Sequence, residues 1–402
     1  MNKRLVSISA LSYGSTGNIM QGICHQASQA GYKTKMFVST KGKPLYVESD
    51  VNDINTPLNN TIGIFLNKIT GFEGCFNFFS TVNLIKKIKS FSPDVIHLHI
   101  LHHGYLNLHI LFRFLKKTHI PVVWTLHDCW AFTGHCPHFS YQKCSKWQTG
   151  CCDCSRYKNY PKSLFDNSRF MWKWKKRWFS DLNNLTIVTP SVWLGSMLNK
   201  SYLSNYPNFV IHNGIDLDIF KPVVDDFRDK NDIGDKKMVL GVASVWSERK
   251  GLDVFIELSN RLPEEYKIVL VGTDDAIDKQ LPDEIISIHR TSNQTQLAAI
   301  YTAADVFVNA TREDTFPTVN LESLACGTPV VTFRTGGSPE SIDETCGSVV
   351  DCDDVDSLFD EIIRICTTKP FSENDCINRA HDFEQRERFE NYVELYNEIC
   401  SN

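Results

Sequence analysis

Short runs rich in Val, Ile, Leu and Phe recur along the chain, separated by segments of helical length and mixed polarity. In the first half they are Arg4 to Ala10, Lys35 to Ser39, Asp94 to His99, Pro121 to Leu126 and Thr186 to Thr189. The second half repeats the pattern at Met238 to Ala243, Lys267 to Val271, Ile285 to Ile288, Val306 to Asn309, Val330 to Phe333 and Ser348 to Val350. Runs that are apolar at successive positions predict strands covered on both faces, as in a parallel sheet with helical crossovers. The expected class is α/β, with two Rossmann-like, doubly wound parallel-sheet domains in succession. Tyr202 to Pro222 carries Pro207, Asn213-Gly214 and Pro222, turn formers that mark a linker. The expected division is 1–200, 201–380 and a C-terminal helix over 381–402 that packs back on the first domain. Ligands of such folds collect where strand carboxyl ends and helix amino termini converge, so a site is expected in a cleft that the two domains face across.

Composition narrows the class. At 402 residues, 42% hydrophobic and 22% charged, the chain is neither disordered nor fibrous. Its longest apolar stretches, such as Val95 to Phe112, are broken by histidines before reaching the ~18 residues of a membrane-spanning helix. Lys3 and Arg4 ahead of Leu5 to Leu11 imitate a signal peptide, but the run is short and meets Gly14 and Gly17, so it reads as a first buried strand. Fourteen cysteines without a signal peptide imply reduced thiols in a cytosol. The net charge of −5 conceals an asymmetry: residues 1–200 hold 24 Lys and Arg against 9 Asp and Glu, whereas residues 201–402 hold 18 against 38. A first half of +15 suggests an anionic partner surface, either nucleic acid or the acidic face of a membrane.

Candidate chemistry concentrates in the second half. Arg312-Glu313-Asp314-Thr315-Phe316-Pro317 closes one predicted strand, and Glu322 falls in the first turns of the following helix. Two carboxylates across such a loop suit sugar or ribose hydroxyls, since each accepts several hydrogen bonds, and the helix start suits a diphosphate. The same pattern is also that of an acidic helix start that merely favours the macrodipole.

The run from Asn309 to Glu340, with Gly-Thr-Pro-Val-Val and Thr-Gly-Gly-Ser-Pro-Glu, resembles the donor-binding region of the retaining family 4 glycosyltransferases (glycosyl transferases group 1), which have the GT-B fold. The resemblance implies that Asp314 contacts the transferred sugar and Glu322 holds the ribose, with Thr315 and Phe316 in the donor-binding loop between them. Asp314 stands where Glu is commoner. Gly241 to Asp253 resembles the family's phosphate-binding strand and turn, making Lys250 the cation for the donor diphosphate. Six residues earlier many members place an Arg; here it is Ser244, which leaves open whether Arg249 supplies the second charge. Ser12 to Asn18 resembles the glycine-rich first loop, with Gly14 and Gly17 beside the donor phosphates and the acceptor. His127 corresponds to the histidine that faces the donor sugar. The implied reaction is a retaining transfer from a UDP- or GDP-sugar, with no protein nucleophile. No aspartate-metal signature is apparent, so no catalytic metal is expected.

Two features lie outside that resemblance. Cys136, Cys144, Cys151 and Cys154, in a Cys-rich insertion at 129–154, are spaced by seven, six and two residues. They read either as a tetrahedral structural zinc site or as buried free thiols or redox pairs. Arg156 to Trp178 interleaves eight Lys or Arg with Phe170, Met171, Trp172, Trp174 and Trp178. It reads either as a membrane-interface segment or as an amphipathic helix with a Trp core face. Taken together, the expectation is a cytoplasmic enzyme, peripheral on the inner face of the cell membrane, that glycosylates a lipid-linked or polysaccharide acceptor in surface polysaccharide synthesis. The competing classes are a GT-B sugar-nucleotide epimerase or hydrolase, and a zinc-bearing nucleic-acid-binding protein; no nucleic acid partner is expected under the leading reading.

Overall fold

The structure, a computed structural model, describes residues 3–46 and 50–401. It divides into two compact units, residues 1–212 with 386–402, and residues 213–385. The first contains seven parallel strands: β1 (Arg4–Leu11), β2 (Lys33–Thr40), β3 (Val51–Asp53), β4 (Val95–Leu98), β5 (Val122–Thr125), β6 (Leu185–Thr189) and β7 (Asn208–Val210), in the order β3-β2-β1-β4-β5-β6-β7. The second contains six: β8 (Lys237–Val242), β9 (Tyr266–Val271), β10 (Ile286–Ile288), β11 (Val306–Asn309), β12 (Val330–Phe333) and β13 (Gly347–Val350), in the order β10-β9-β8-β11-β12-β13.

Each sheet starts at a central strand, winds outward to one edge, then returns to wind toward the other. The reversal falls between β1 and β4 in the first unit and between β8 and β11 in the second. Burial explains why the strands read as unbroken apolar runs. Leu5 and Val6 in β1 are both inaccessible to solvent, although neighbouring strand residues point to opposite faces. Val6, Ile8 and Phe37 share one core with Phe112, Trp124 and Phe179. Leu5, Met36, Val38 and Val123 share another with Ile19, Met20 and Ile23 of the helix Gly14–Gln29.

The helix Gln385–Ser401 closes that second core with Phe389, Tyr392, Val393 and Tyr396. A Cβ at Gly22 would lie 2.2 Å from the Phe389 ring, so the glycine permits the close approach of the two helices. The first unit extends to residue 212 rather than ending at 200, because Asn208–Val210 pairs with β6 as an edge strand.

Between β5 and the helix Ser168–Phe179 the chain makes only two short 3-10 turns, Trp130–Phe132 and Lys146–Gln148. Buried Trp130, Phe132, Phe139 and Trp147 anchor this segment. The helix Ser168–Phe179 turns Met171, Trp172, Lys175 and Phe179 inward. One base of the Arg156 to Trp178 segment is therefore unavailable to solvent or a membrane surface: Lys175 is 0% exposed, its Nζ donates to the Trp130 carbonyl, and it lies 3.4 Å from the centroid of that indole. Burial pulls its ammonium down to about 7. Lys173, Lys176 and Arg177 remain exposed.

Candidate functional site

In a doubly wound sheet the crevice for a ligand opens at the carboxyl ends of the strands flanking the reversal. In the second unit these are β8 and β11. The chain leaving β8 passes through exposed Ser244 and a 3-10 turn, Glu248–Lys250, into the helix Leu252–Arg261. Gly251 between turn and helix has φ +78, and a Cβ there would lie 2.4 Å from the Ala310 carbonyl oxygen. Only glycine satisfies both the left-handed backbone and the contact with the end of β11.

Arg312 fastens the two loops together. Its guanidinium forms a fork with Asp253 (Nη1–Oδ1 2.8 Å, Nη2–Oδ2 2.7 Å), reaches Asp353 through Nε at 2.6 Å, and donates to the Glu248 carbonyl. These bonds, led by Asp253, hold its proton still more firmly than usual. The Arg312 amide donates to the Arg249 carbonyl at 2.9 Å, and Arg249 returns a bond from Nη1 to the Glu313 carbonyl at 2.9 Å. Arg249 is thus engaged with the β11 loop.

Lys250 and Asp314 meet on this scaffold, Nζ to Oδ2 at 2.8 Å, each side chain about one-fifth exposed. The Asp314 backbone is held by Gly336, where φ is +54 and a Cβ would lie 1.6 Å from the Asp314 carbonyl oxygen. Thr315 and Phe316 are buried, Phe316 packing 5.7 Å from Phe383.

Glu322 lies on the helix Thr318–Ala325, which begins after Pro317 without a side-chain cap. Its first-turn amides point out of the helix start, where an anion is favoured. The Glu322 carboxylate accepts from the Tyr301 hydroxyl at 3.1 Å. Burial pushes its carboxyl up to about 7, the Tyr301 and Thr318 hydroxyls opposing the shift. Asn320, two residues earlier, donates to the hydroxyls of Ser338 (3.1 Å) and Ser341 (2.9 Å) and accepts from Asn309 at 2.7 Å. This network, like the Arg312 clamp, was not anticipated from sequence; the polar residues Asn309 and Asn320 at a strand end and helix start were its only trace.

The first unit holds the other expected residues. Gly14 opens the helix Gly14–Gln29 with φ +70, and a Cβ at Gly17 would lie 2.5 Å from the Ser12 carbonyl carbon. Both glycines are therefore required by the turn after β1. His127 follows β5, its Nε2 3.1 Å from His99 Nδ1. Burial lowers its imidazole to about 4, against the neighbouring Asp128 charge, so the ring is neutral at physiological pH. Asp128 is instead held at about 2: burial opposes ionisation, but His102, with Nε2 at 2.9 Å, together with His138 and the Trp130 amide outweighs it. His97 bridges Tyr396 of the C-terminal helix (2.6 Å) and Thr125 (2.8 Å). Sequence reasoning singled out His127 and missed that it ends a buried row of histidines.

No disulfide joins the cysteines among the described residues. Among the described residues, one set of three histidine, cysteine, aspartate or glutamate side chains has its donor atoms within 4.8 Å of one another: Asp275, Asp278 and His289, largely exposed and tied by a 2.6 Å bond from His289 to Asp278. No helix among the described residues is long and apolar enough to cross a membrane.

Residues 17–219 match the profile of Glycosyltransferase Family 4, and residues 236–368 match that of Glycosyl transferases group 1. The colanic acid biosynthesis glycosyl transferase WcaC of Escherichia coli K12 is 24% identical over 322 residues, covering 77% of this chain and 78% of that protein. Among solved structures, sucrose-phosphate synthase from Thermosynechococcus elongatus superposes with a TM-score of 0.73 at 17% identity, over 100% of both chains. Anabaena HepE in complex with UDP gives 0.68 at 14% identity, over 99% of this chain and 100% of that one. The two parallel-sheet domains and these neighbours identify the GT-B fold.

Proposed function

Because the chain belongs to glycosyltransferase family 4, we propose that it transfers a sugar from a UDP- or GDP-sugar, with retention at the anomeric carbon, to a lipid-linked or polysaccharide acceptor. The observation that carries this reading is the Lys250–Asp314 pair at the carboxyl ends of β8 and β11, beside the loop that leads to the start of the helix bearing Glu322. Structures of HepE with UDP and with UDP-glucose support a nucleotide-sugar donor. WcaC, named for colanic acid biosynthesis, supports a surface-polysaccharide product.

Lys250 exchanges its bond to Asp314 for the donor diphosphate, and the first-turn amides of Thr318–Ala325 share that charge. Asp314, released from Lys250, accepts from a hydroxyl of the transferred sugar. Glu322 accepts from the ribose diol in its ionised form. The neutral His127 imidazole serves a sugar hydroxyl, and the turn at Gly14 and Gly17 admits phosphate or acceptor to the backbone. The acceptor oxygen bonds to the anomeric carbon on the face from which the diphosphate leaves. As the bond from that carbon to the phosphate oxygen breaks, the acceptor proton passes to the departing diphosphate. Positioning and charge stabilisation supply the rate, without a protein nucleophile.

The acceptor side is proposed to dock on an anionic bilayer. The first unit carries 26 Lys and Arg against 13 Asp and Glu, a net +13. The helix Pro57–Thr70 turns Leu58, Ile62, Ile64 and Phe65 outward and buries only Gly63 and Asn67. Its end adjoins exposed Leu164 and Phe165 through the bond from the Leu164 amide to the Lys68 carbonyl. Phe72 stacks on exposed Trp174 at 5.1 Å, linking this surface to Phe170, Lys173, Lys176 and Arg177. Aromatic rings beside cations suit headgroup depth.

A panel of nucleotide sugars in thermal shift, followed by acceptor-dependent release of the nucleotide, tests the proposal. A donor at 100 times its Kd stabilises by about 2.7 kcal/mol. Nucleotide release at the same rate with and without acceptor would instead identify a hydrolase or epimerase.

A further inference from the structure

We propose that Cys136, Cys144, Cys151 and Cys154 hold one structural Zn²⁺ that pins the segment between β5 and the helix Ser168–Phe179. The proposal goes beyond the transferase reading and does not depend on it.

Four observations carry it. First, all four thiols line a single cavity of about 330 Å³ in the first unit. The Cys136 and Cys154 side chains are in hydrogen-bond contact, and Cys151 is an electrostatic neighbour of Cys136, Cys144 and Cys154. Residues spread over nineteen positions of chain, with no strand or α-helix between them, thus share one cavity.

Second, backbone donors are aimed at the sulfurs. The Gly134 amide donates to Cys151 Sγ at 3.1 Å, and the Arg156 amide donates to Cys154. Asp153, inside Cys151-Cys152-Asp153-Cys154, has φ +45, a left-handed residue that folds the Cys-x-x-Cys stretch into a tight turn. An amide donating to sulfur fixes its orientation, as hydrogen bonds to ligand atoms do around a structural metal.

Third, the surroundings are cationic. Lys143, Lys146 and Arg156 line the same cavity, with Lys146 Nζ donating to the carbonyls of Cys152 and Asp153 at 3.0 and 3.1 Å. Fully buried Lys175 has Cys151 and Cys136 among its electrostatic neighbours. A buried ammonium is costly without a nearby anion, and four thiolates around Zn²⁺ carry a net −2. Fourth, residues 126–167 hold no regular element beyond two 3-10 turns, and loops of that length are uncommon in a compact domain.

An all-sulfur set favours zinc or an iron–sulfur centre, and a single Zn²⁺ matches one thiol from each of four positions. Cys152 lines the same cavity, whereas Cys129 does not. Cys152 sits between the two ends of the Cys-x-x-Cys turn, and Cys129 is embedded in the core with Trp124 and Phe132. They provide controls within the same segment.

The experiment is metal analysis of the intact chain purified under reducing conditions, with Co²⁺ exchanged for the native metal. About one zinc per chain is expected, together with the intense charge-transfer and d–d absorption of tetrahedral tetrathiolate cobalt. Cys151→Ser and Cys154→Ser should lose at least about nine-tenths of the metal, while Cys152→Ser retains it. The cobalt spectrum of the unaltered chain keeps the test decisive if the serine variants fail to fold. Four freely titrating thiols after zinc supplementation, a Cys136–Cys154 disulfide in the reduced preparation, or iron with acid-labile sulfide would each overturn the assignment.

Discussion

Replacing Glu322 with Gln should stabilise the fold at alkaline pH while weakening donor binding. In the folded chain the Glu322 carboxyl is raised from 4.5 to about 7 by burial. Between those values the folded protein holds a proton that the unfolded chain has released, so stability falls as pH rises through the window and levels off above it. The full shift corresponds to at most ~3.4 kcal/mol. Because Glu322 is partly exposed and keeps the Tyr301 hydroxyl, about 1 to 2 kcal/mol is realistic. Gln preserves shape and can accept from Tyr301, but has no charge to desolvate. Melts of both proteins from pH 4.5 to 8.5 should nearly coincide at the acid end. They should separate to roughly 3 to 6 °C in favour of the Gln variant at pH 8, for a domain of this size. At the same pH the variant should bind UDP or GDP at least about tenfold more weakly, because a neutral amide is a poorer acceptor for two ribose hydroxyls. A pH-independent difference, or a Gln variant less stable at pH 8, would refute the reasoning.

Four further outcomes follow from the same geometry. Lys250→Met should leave melting within ~1 kcal/mol of the unaltered chain but cost roughly 1.5 to 3 kcal/mol in nucleotide affinity, read by calorimetry. Arg312→Met should destabilise the second unit by about 1 to 2 kcal/mol in urea unfolding, since it removes the shared partner of half-exposed Asp253 and Asp353. Gly336→Ala should cost at least ~2 kcal/mol and lower turnover, because the added methyl displaces the Asp314 backbone. On anionic liposomes, Lys173, Lys176 and Arg177 changed together to Gln should reduce flotation, as should Ile62→Asp with Phe65→Asp; Lys175→Gln should act on stability instead.

The central strands were legible because burial on both faces leaves runs such as Val306 to Asn309 almost without polar interruption. The edge strands Val51–Asp53 and Asn208–Val210 were not: each is three residues long, carries Asn or Asp, and borrows its structure from a neighbour. Asp314, Glu322 and Lys250 stood out because a strand end and a helix start leave short, recognisable patterns. Arg312 did not, since its partners Asp253 and Asp353 lie about sixty and forty positions away and only folding joins them. Lys175 was misread within a run of bases, although its spacing of four from both Met171 and Phe179 places it on their buried helical face. The outward apolar side of Pro57–Thr70 also escaped notice, because an exposed apolar stripe has the same periodicity as a buried one.

Calorimetric titration of the intact chain with UDP and with GDP tests the donor-site assignment most directly. One of the two should bind saturably with one site per chain, and Lys250→Met and Glu322→Ala should each weaken it at least about tenfold, while Asp275→Asn on the surface of the same unit leaves it unchanged. Undiminished binding in both site variants, or no binding of either nucleotide to the unaltered chain, would contradict the assignment.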